Sequence, residues 1–282
     1  IWKRIADNGD FYKKEFSGYY SERHERFATD KDLDKNNNLL EDGSPTTYIT
    51  DTNYFFRLSK YSDKIRELIE DDIVKITPEF RKNEMLAFID GGLEDVSFSR
   101  SKKQLSWGIP VPDDEDQVMY VWCDALTNYY SGLRYDTPEK LFENIFSPYL
   151  HVIGKDIARF HCIYWVAMLL SADLPLPENI LIHGFVNDAT GSKMSKSVGN
   201  VIDPQEMVDK LGADALRFYL LSEAGPGRDI NFSEQRFFEI YNDQLVNNYG
   251  NFVNRAITLY HKYDPKGVAE PCELIQQSYE RY

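Results

Sequence analysis

Residues 149–186 open with Tyr149-Leu150-His151-Val152-Ile153-Gly154, run on through a helix-forming stretch from Lys155 to Ser171, and close with Asn179-Ile180-Leu181-Ile182-His183-Gly184-Phe185-Val186. Residues 149–153 and 179–186 are short apolar runs of strand length. Strand, helix, strand in this order predicts a βαβ crossover and a parallel sheet. Working outward, residues 117–124 (QVMYVWCD) form a near-continuous apolar run, as expected of a strand buried on both faces. That makes three expected strands, whereas a complete doubly wound sheet has about five or six. The sheet is therefore either unusually small or finished by another segment, and the fold expected is α/β: the C-terminal half of a doubly wound, Rossmann-type parallel sheet followed by an α-helical bundle domain.

The flanks read differently. Residues 1–50 are polar and irregular, with a charged, Asn-rich loop at 31–38 and a β-prone stretch at 46–50. Phe55, Leu58, Ile65, Leu68 and Ile69 fall at helical spacing, predicting a helix over 52–69. A second helix is expected between Pro78 and Gly91-Gly92. Beyond Val186 comes a loop, then short helices over 204–211 and 213–222. A long amphipathic helix over 233–263, about 45 Å in length, should begin an α-helical bundle domain. The chain starts at Ile1 inside a helix-like stretch, and residues 276–282 look like an unfinished helix. Both ends suggest a segment of a longer protein.

Composition limits the function classes. At about 150 residues per domain, 282 residues should hold two domains. The net charge of −14 argues against a general polyanion binder, so any nucleic-acid contact must come from a local basic patch. No apolar run reaches the roughly 18 residues of a membrane span, and no secretory signal is seen. The 3 cysteines, Cys123, Cys162 and Cys272, lie far apart and form no CxxC pair. A disulfide framework and a four-cysteine zinc site are therefore not expected, and a cytoplasmic, reducing location fits.

The chemistry centres on Gly191-Ser192-Lys193-Met194-Ser195-Lys196-Ser197-Val198-Gly199-Asn200, which follows the last strand. Ligands bind at the C-terminal edge of open parallel sheets, and mobile cations there can neutralise a polyphosphate. Composition alone favours a plain solvated lysine loop. Residue order changes that. Lys193-Met194-Ser195-Lys196-Ser197 resembles the signature pentapeptide of class I aminoacyl-tRNA synthetases, together with 198–204 (VGNVIDP) and 212–217 (GADALR). Within that class, 107–112 (WGIPVP), 121–129 (VWCDALTNY) and 151–161 (HVIGKDIARFH) resemble methionyl-tRNA synthetases. The likeness runs over about 53–263.

Spacing and resemblance agree on a pocket. Leu126 and Tyr129 are three apart and Ile157 and His161 four apart, so each pair shares a helix face. With Trp122 they would enclose a thioether, whose polarisable sulfur packs well on aromatic rings. Tyr129 or His161 can donate a hydrogen bond to sulfur. The resemblance places the methionine pocket at Trp122, Leu126, Tyr129, Ile157 and His161. Leu126 stands where many relatives are expected to carry Pro.

The resemblance further implies ATP binding by Gly154 and Asp156 near the ribose, and by His183 to Val186 near adenine. Lys193, Ser195 and Lys196 would lie on the phosphates, with Arg100 beside the reacting groups. Magnesium would arrive bound to ATP. Asn251 and Arg255, four apart on the long helix, match family positions for the anticodon, although spacing alone favours a plain polar face. No structural zinc is implied, since residues 17–27 look like the connective segment of the knuckle-free subtype.

The implied organisation has four parts. A connective remnant spans 1–97 and the second half of the Rossmann catalytic domain spans 98–190. The signature loop and stem-contact region spans 191–232, and the start of the anticodon-binding domain spans 233–282. The implied function is methionine–tRNA ligation, with methionine, ATP and tRNA(Met) as partners and no membrane. The His-x-Gly-His type ATP motif of the class is missing, so it is expected on an upstream segment or a separate chain, and residues 1–282 alone should be inactive. A non-catalytic tRNA-binding or scaffold remnant, or a sibling class I synthetase, are the other readings.

Overall fold

The computed structural model describes residues 1–23, 26–28, 32–40, 42–132, 150–195, 199–225 and 227–263. Lys196, Cys272, Tyr149 and the expected helix over 276–282 lie outside the described residues. The chain divides into two compact units, Ile1–Gly184 and Phe185–Tyr282.

The first unit opens with a short helix, α1 (Trp2–Asp7), and a long hairpin. Strand β1 (Phe11–Ser21) pairs antiparallel with β2 (Arg26–Ala28) and with β3 (Thr47–Phe56), in register from Phe11 opposite Phe56 to Tyr20 opposite Thr47. This corrects two expectations: 1–50 is not irregular, and the helix expected from residue 52 begins later. Both strands are rich in Tyr and Phe, and β3 also in Thr, which suit a pleated surface. Cross-strand ring pairs such as Tyr12 with Phe55 and Tyr19 with Tyr48 hold them together. The apolar spacing of 55–69 spliced a strand end onto a true helix. Strand β3 stops at Phe56, a 3₁₀ turn occupies Leu58–Tyr61, and α2 (Ser62–Glu70) buries Ile65, Leu68 and Ile69.

Strand β4 (Lys75–Thr77) leads into α3 (Glu79–Asp90), which lies between Pro78 and Gly91 as expected. Gly92 follows at φ +92°, a conformation that favours glycine. Strand β5 (Val96–Ser97) completes the hairpin sheet in the order β2-β1-β3-β5. A second antiparallel sheet is built from β6 (Ser99–Ser101), β7 (Pro110–Val111) and β8 (Asp114–Met119).

Here the structure overturns a third expectation. The run 117–124 is not a strand of the parallel sheet. Strand β8 ends at Met119 in the antiparallel sheet, and α4 (Val121–Gly132) begins at once. Trp122 therefore sits in the first turn of a helix. Cys123, Leu126 and Tyr130, spaced three and four apart, are its buried face. A short apolar run cannot by itself separate a buried strand from a helix start.

The parallel sheet has three strands nonetheless. Strands β9 (Leu150–Gly154) and β10 (Asn179–His183) pair in parallel, as the crossover predicts, and β4 flanks β10 on the other side. The crossover is helical from Lys155, through wide π turns at Phe160–Trp165, to α5 (Val166–Ser171). Ile163, Trp165, Val166, Leu169, Ile180 and Ile182 are fully buried beneath it.

In the second unit β11 (Val186–Asn187) pairs in parallel with β12 (Ile230–Asn231). Helix α6 (Pro204–Leu211) is capped by the Asp203 carboxylate, which accepts from the Gln205 amide, with Pro204 at the first helical position. Helix α7 (Ala213–Ala224) follows. The long helix starts as α8 (Glu234–Ile240), capped by the Ser233 hydroxyl, widens into π turns at Tyr241–Gly250, and ends as α9 (Asn251–Tyr263). Met207, Tyr219, Phe232 and Phe237 form this unit's core. Among the described residues no helix is long and apolar enough to cross a membrane.

One buried charge ties the first unit together. Asp10 is 1% exposed and accepts from Lys60 Nζ at 2.7 Å, Ser171 Oγ at 2.7 Å and Asn8 Nδ2 at 2.8 Å, as well as from the Tyr61 hydroxyl. Burial raises its pKa, but the bonds from Lys60, Ser171 and Tyr61 outweigh burial and leave it below the usual 3.8. A depressed carboxylate contributes stability that is present above pH 3.8 and lost as pH falls through the folded value. Asp10→Asn, which turns a donor toward four donors, should cost about 2–4 kcal/mol at neutral pH. All 4 tryptophans of the chain lie in the first unit, so urea unfolding followed by tryptophan fluorescence reads its midpoint. An unchanged midpoint would show that the network is dispensable.

Candidate functional site

In the first unit, Trp122 and Tyr129 are seven residues apart on α4, two helical turns along one face. Both are half-buried, while Leu126, on the same face of the helix between them, is fully buried in the core. The Tyr129 hydroxyl lies 2.7 Å from Nε2 of His161 on the crossover helix. The other ring nitrogen, Nδ1, is 3.0 Å from the Ile157 carbonyl oxygen. A carbonyl only accepts, so Nδ1 carries the proton and Nε2 accepts from Tyr129. Burial pushes the His161 pKa below 6.5, despite an upward pull from the Ile157 carbonyl. The ring is therefore neutral at physiological pH.

Trp122 meets His161 edge-on at 6.1 Å and stacks flat on Phe160, with ring centroids 4.0 Å apart and planes at 7°. His151 packs against Tyr129 at 4.2 Å; burial first, and His161 nearby, drive its pKa down to about 4. Its Nε2 is buried with no hydrogen-bond partner among the described residues. Trp122, Tyr129 and His161 are thus brought together. Ile157 contributes its carbonyl, and its half-buried side chain packs on the core. The sequence reading missed Phe160 and His151. Phe160 had a signal: it falls three after Ile157, on the helix face already chosen.

At the C-terminal edge of the parallel sheet, Gly154 ends β9 directly opposite His183, which ends β10. A Cβ on Gly154 would stand 2.7 Å from Asp156 Oδ1 and 3.7 Å from His183 Cε1. Any side chain at 154 would thus displace the carboxylate, so glycine leaves the rim open. His183 Nδ1 is 2.8 Å from the Gly184 carbonyl. The three first-unit residues expected at the nucleotide are therefore neighbours.

Arg100 has a different setting. It is buried, its guanidinium donates to the Ser99 carbonyl at 2.7 Å and the Ser97 hydroxyl at 3.0 Å, and it lies 4.8 Å over the Tyr120 ring. It lines an apolar cleft of about 250 Å³ with Trp107, Ile109, Tyr120, Val121 and Asp124.

In the second unit, Lys193 Nζ rests 4.7 Å over the Phe185 ring. The Ser195 amide donates to Asn200 Oδ1 at 2.9 Å. Val186 is exposed in β11. On the long helix, Asn251 and Arg255 line one cleft of about 440 Å³ with Asn247, Asn248, Phe252 and Leu259. Asn251 Nδ2 donates to the Asn247 carbonyl at 2.7 Å.

Comparison with known proteins bears on this arrangement. A family model described as tRNA synthetases class I (M) matches residues 31–257. The methionine–tRNA ligase of Mycobacterium tuberculosis (strain ATCC 25618 / H37Rv) is 42% identical over 278 residues, covering 97% of this chain and 53% of the ligase. That of Bacillus subtilis (strain 168) is 40% identical over 275 residues, covering 93% of this chain and 41% of the ligase. The Mycobacterium tuberculosis methionyl-tRNA synthetase in complex with methionyl-adenylate superposes with a TM-score of 0.84 at 42% identity, covering 96% of this chain and 54% of that one. Its free state gives 0.82 at 38% identity, covering 96% and 53%. The chain spans about half the length of the curated relatives it matches. With a family model across most of its length and a fold shared with solved synthetases, the chain belongs to the class I (M) tRNA synthetases.

Proposed function

We propose that the protein carrying this chain is a methionine–tRNA ligase, which activates methionine with ATP to methionyl-adenylate and transfers it to tRNA(Met). The observation that carries this reading is the Trp122–Phe160–Tyr129–His161 cluster, aromatic rings gathered around one neutral imidazole.

The pocket selects by shape and polarisability. With Nδ1 protonated and the Tyr129 proton given to Nε2, neither group offers a free proton to sulfur. This revises the donor role expected of Tyr129 or His161. A thioether still gains from the ring faces and edges of Trp122 and Tyr129. The neutral site also leaves no cation or anion to attract a charged side chain. Leu126 acts from the core beneath α4, and Ile157 by fixing the imidazole.

Around the rim, Gly154 leaves space for the ribose, Asp156 accepts its hydroxyls, and the backbone from His183 to Val186 meets adenine. The methionine carboxylate attacks the α-phosphate and pyrophosphate departs, with magnesium entering as part of the nucleotide substrate. No protein nucleophile takes part. Positioning and charge neutralisation lower the barrier, with Lys193 and Lys196 on the phosphates and Ser195 beside them. Arg100, held by Ser97 and Ser99, steadies the wall beside the reacting groups. Asn251 and Arg255 read anticodon bases by bidentate hydrogen bonds. The catalytic half-sheet with the His-x-Gly-His type motif is supplied outside residues 1–282. The protein works where translation does, in the cytoplasm.

Two measurements on the full-length protein test this. Lys196→Ala should cut methionine-dependent pyrophosphate exchange by about 100-fold or more and leave methionine binding near normal; undiminished exchange would refute the role of the lysine. Tyr129→Phe should raise the KM for methionine about tenfold with kcat little changed, because it removes the hydroxyl that donates to His161 Nε2 and leaves that acceptor unsatisfied (~1.4 kcal/mol). Unaltered methionine KM in steady-state exchange would remove Tyr129 from the pocket.

A further inference from the structure

The base of the signature loop is closed by two side chains that the sequence reading passed over. The Asp188 carboxylate is saturated. Its Oδ1 accepts from the Thr190 amide at 2.9 Å, the Thr190 hydroxyl at 2.6 Å and the Ser192 amide at 3.0 Å. Its Oδ2 accepts from Asn200 Nδ2 at 2.7 Å. The Asn200 amide then spans the loop: its Oδ1 accepts from the Ser195 amide at 2.9 Å, and its Nδ2 also reaches the Lys193 carbonyl at 3.3 Å.

Backbone bonds reinforce the same shape. The Asp188 amide donates to the Ser192 carbonyl at 2.9 Å and the Gly191 amide to the Asp188 carbonyl at 3.0 Å. Asn187 and Lys193 form an antiparallel bridge. Gly191 turns the chain at φ +87°, a conformation that strains any other L-residue. Lys193 thus leaves a backbone whose two sides are joined by one carboxylate and one carboxamide, and its ammonium lies over Phe185.

We propose that Asp188 and Asn200 are positioning residues for Lys193: a carboxylate–carboxamide staple presets the loop backbone from which the lysine reaches the polyphosphate. This rests on the functional reading above. The physical need is clear. A lysine has four flexible methylenes, and a cation that must neutralise developing charge loses most of its value when displaced by about 1 Å. The family signature supplies the cations and small residues, and the staple supplies the fixed base. The two partners are complementary in one sense only: the carboxylate at 188 accepts everything, and the amide at 200 both donates and accepts.

That complementarity makes the staple separable from a merely structural role. Asn200→Asp sets a second carboxylate against Asp188. The double exchange Asp188→Asn with Asn200→Asp restores the 188–200 pairing, losing only the longer bond to the Lys193 carbonyl: an amide at 188 still accepts from Thr190 and Ser192 and donates to a carboxylate at 200, which still accepts from Ser195. In the full-length protein, Asn200→Asp should lower kcat for methionine-dependent pyrophosphate exchange about 10–100-fold, with the methionine KM within about twofold. The double exchange should recover most of the loss. Amide hydrogen exchange at Ser192 and Ser195 should quicken in the single variant and slow again in the double. Loss and recovery of both readouts supports the proposal. Protection that is lost and regained while kcat stays level overturns the positioning role, as does a double variant no better than the single. A wild-type protein without any methionine-dependent exchange sinks the functional reading and the positioning role with it. The substrate-independent amide pattern would then still show whether the staple exists.

Discussion

The hydrogen bond between the Tyr129 hydroxyl and His161 Nε2 joins the two helices that build the pocket. Its direction follows from one carbonyl. Ile157, one turn before His161, can only accept, so it fixes the imidazole proton on Nδ1 and turns Nε2 into an acceptor. Burial then keeps the ring neutral, since it disfavours the charged form more than the Ile157 carbonyl supports it. His151 obeys the same rule more severely, packed under Tyr129 with one nitrogen unpartnered among the described residues. A cluster of uncharged rings follows from these constraints, the setting on which the proposed preference for an uncharged, polarisable guest rests.

The parallel sheet supplies the second constraint. Because β9 and β10 pair in register, Gly154 and His183 finish side by side, and the crossover helix starts where the strands end. Asp156 therefore folds back beside Gly154 without any further device, and the missing Cβ is what admits it. Strand register thus brings His183, far along the sequence, onto one rim with Gly154 and Asp156.

Much of this was legible in the sequence. The crossover from β9 to β10, α3 between Pro78 and Gly91, α6 behind Asp203-Pro204, and the long helix capped by Ser233 carry local signals: apolar period, capping oxygens and terminating glycine. What failed were segments whose state is decided by partners. The run 117–124 is apolar enough for either state. Only the bonds of β8 to β6 and β7 stop the strand at Met119 and let α4 begin. Strand β1 was invisible because most of its residues are polar or partly exposed, and its identity comes from pairing with β3. In the site, residues on a shared helix face were recoverable by spacing. Phe160 was overlooked although it obeys the spacing, and the Asp188–Asn200 pair had no local pattern to betray it.

The two kinds of site residue are held in opposite ways, and the difference has a physical reason. Trp122, Tyr129 and His161 stand on helices against a core, where packing fixes rotamers and water is excluded. Such a setting suits discrimination by shape, which needs rigid walls. The described part of the signature loop has no such core. Lys193 is exposed, and its backbone is fixed by polar bonds from Asp188 and Asn200 in contact with solvent. A cation that must meet and then release a polyphosphate cannot be buried without losing its own hydration. Hydrogen bonds at the base of the loop give direction to the lysine without desolvating its ammonium group. Under the proposed function, selection by a neutral buried pocket and catalysis by solvated cations would make different demands, and each unit of the chain offers the means that suit one of them.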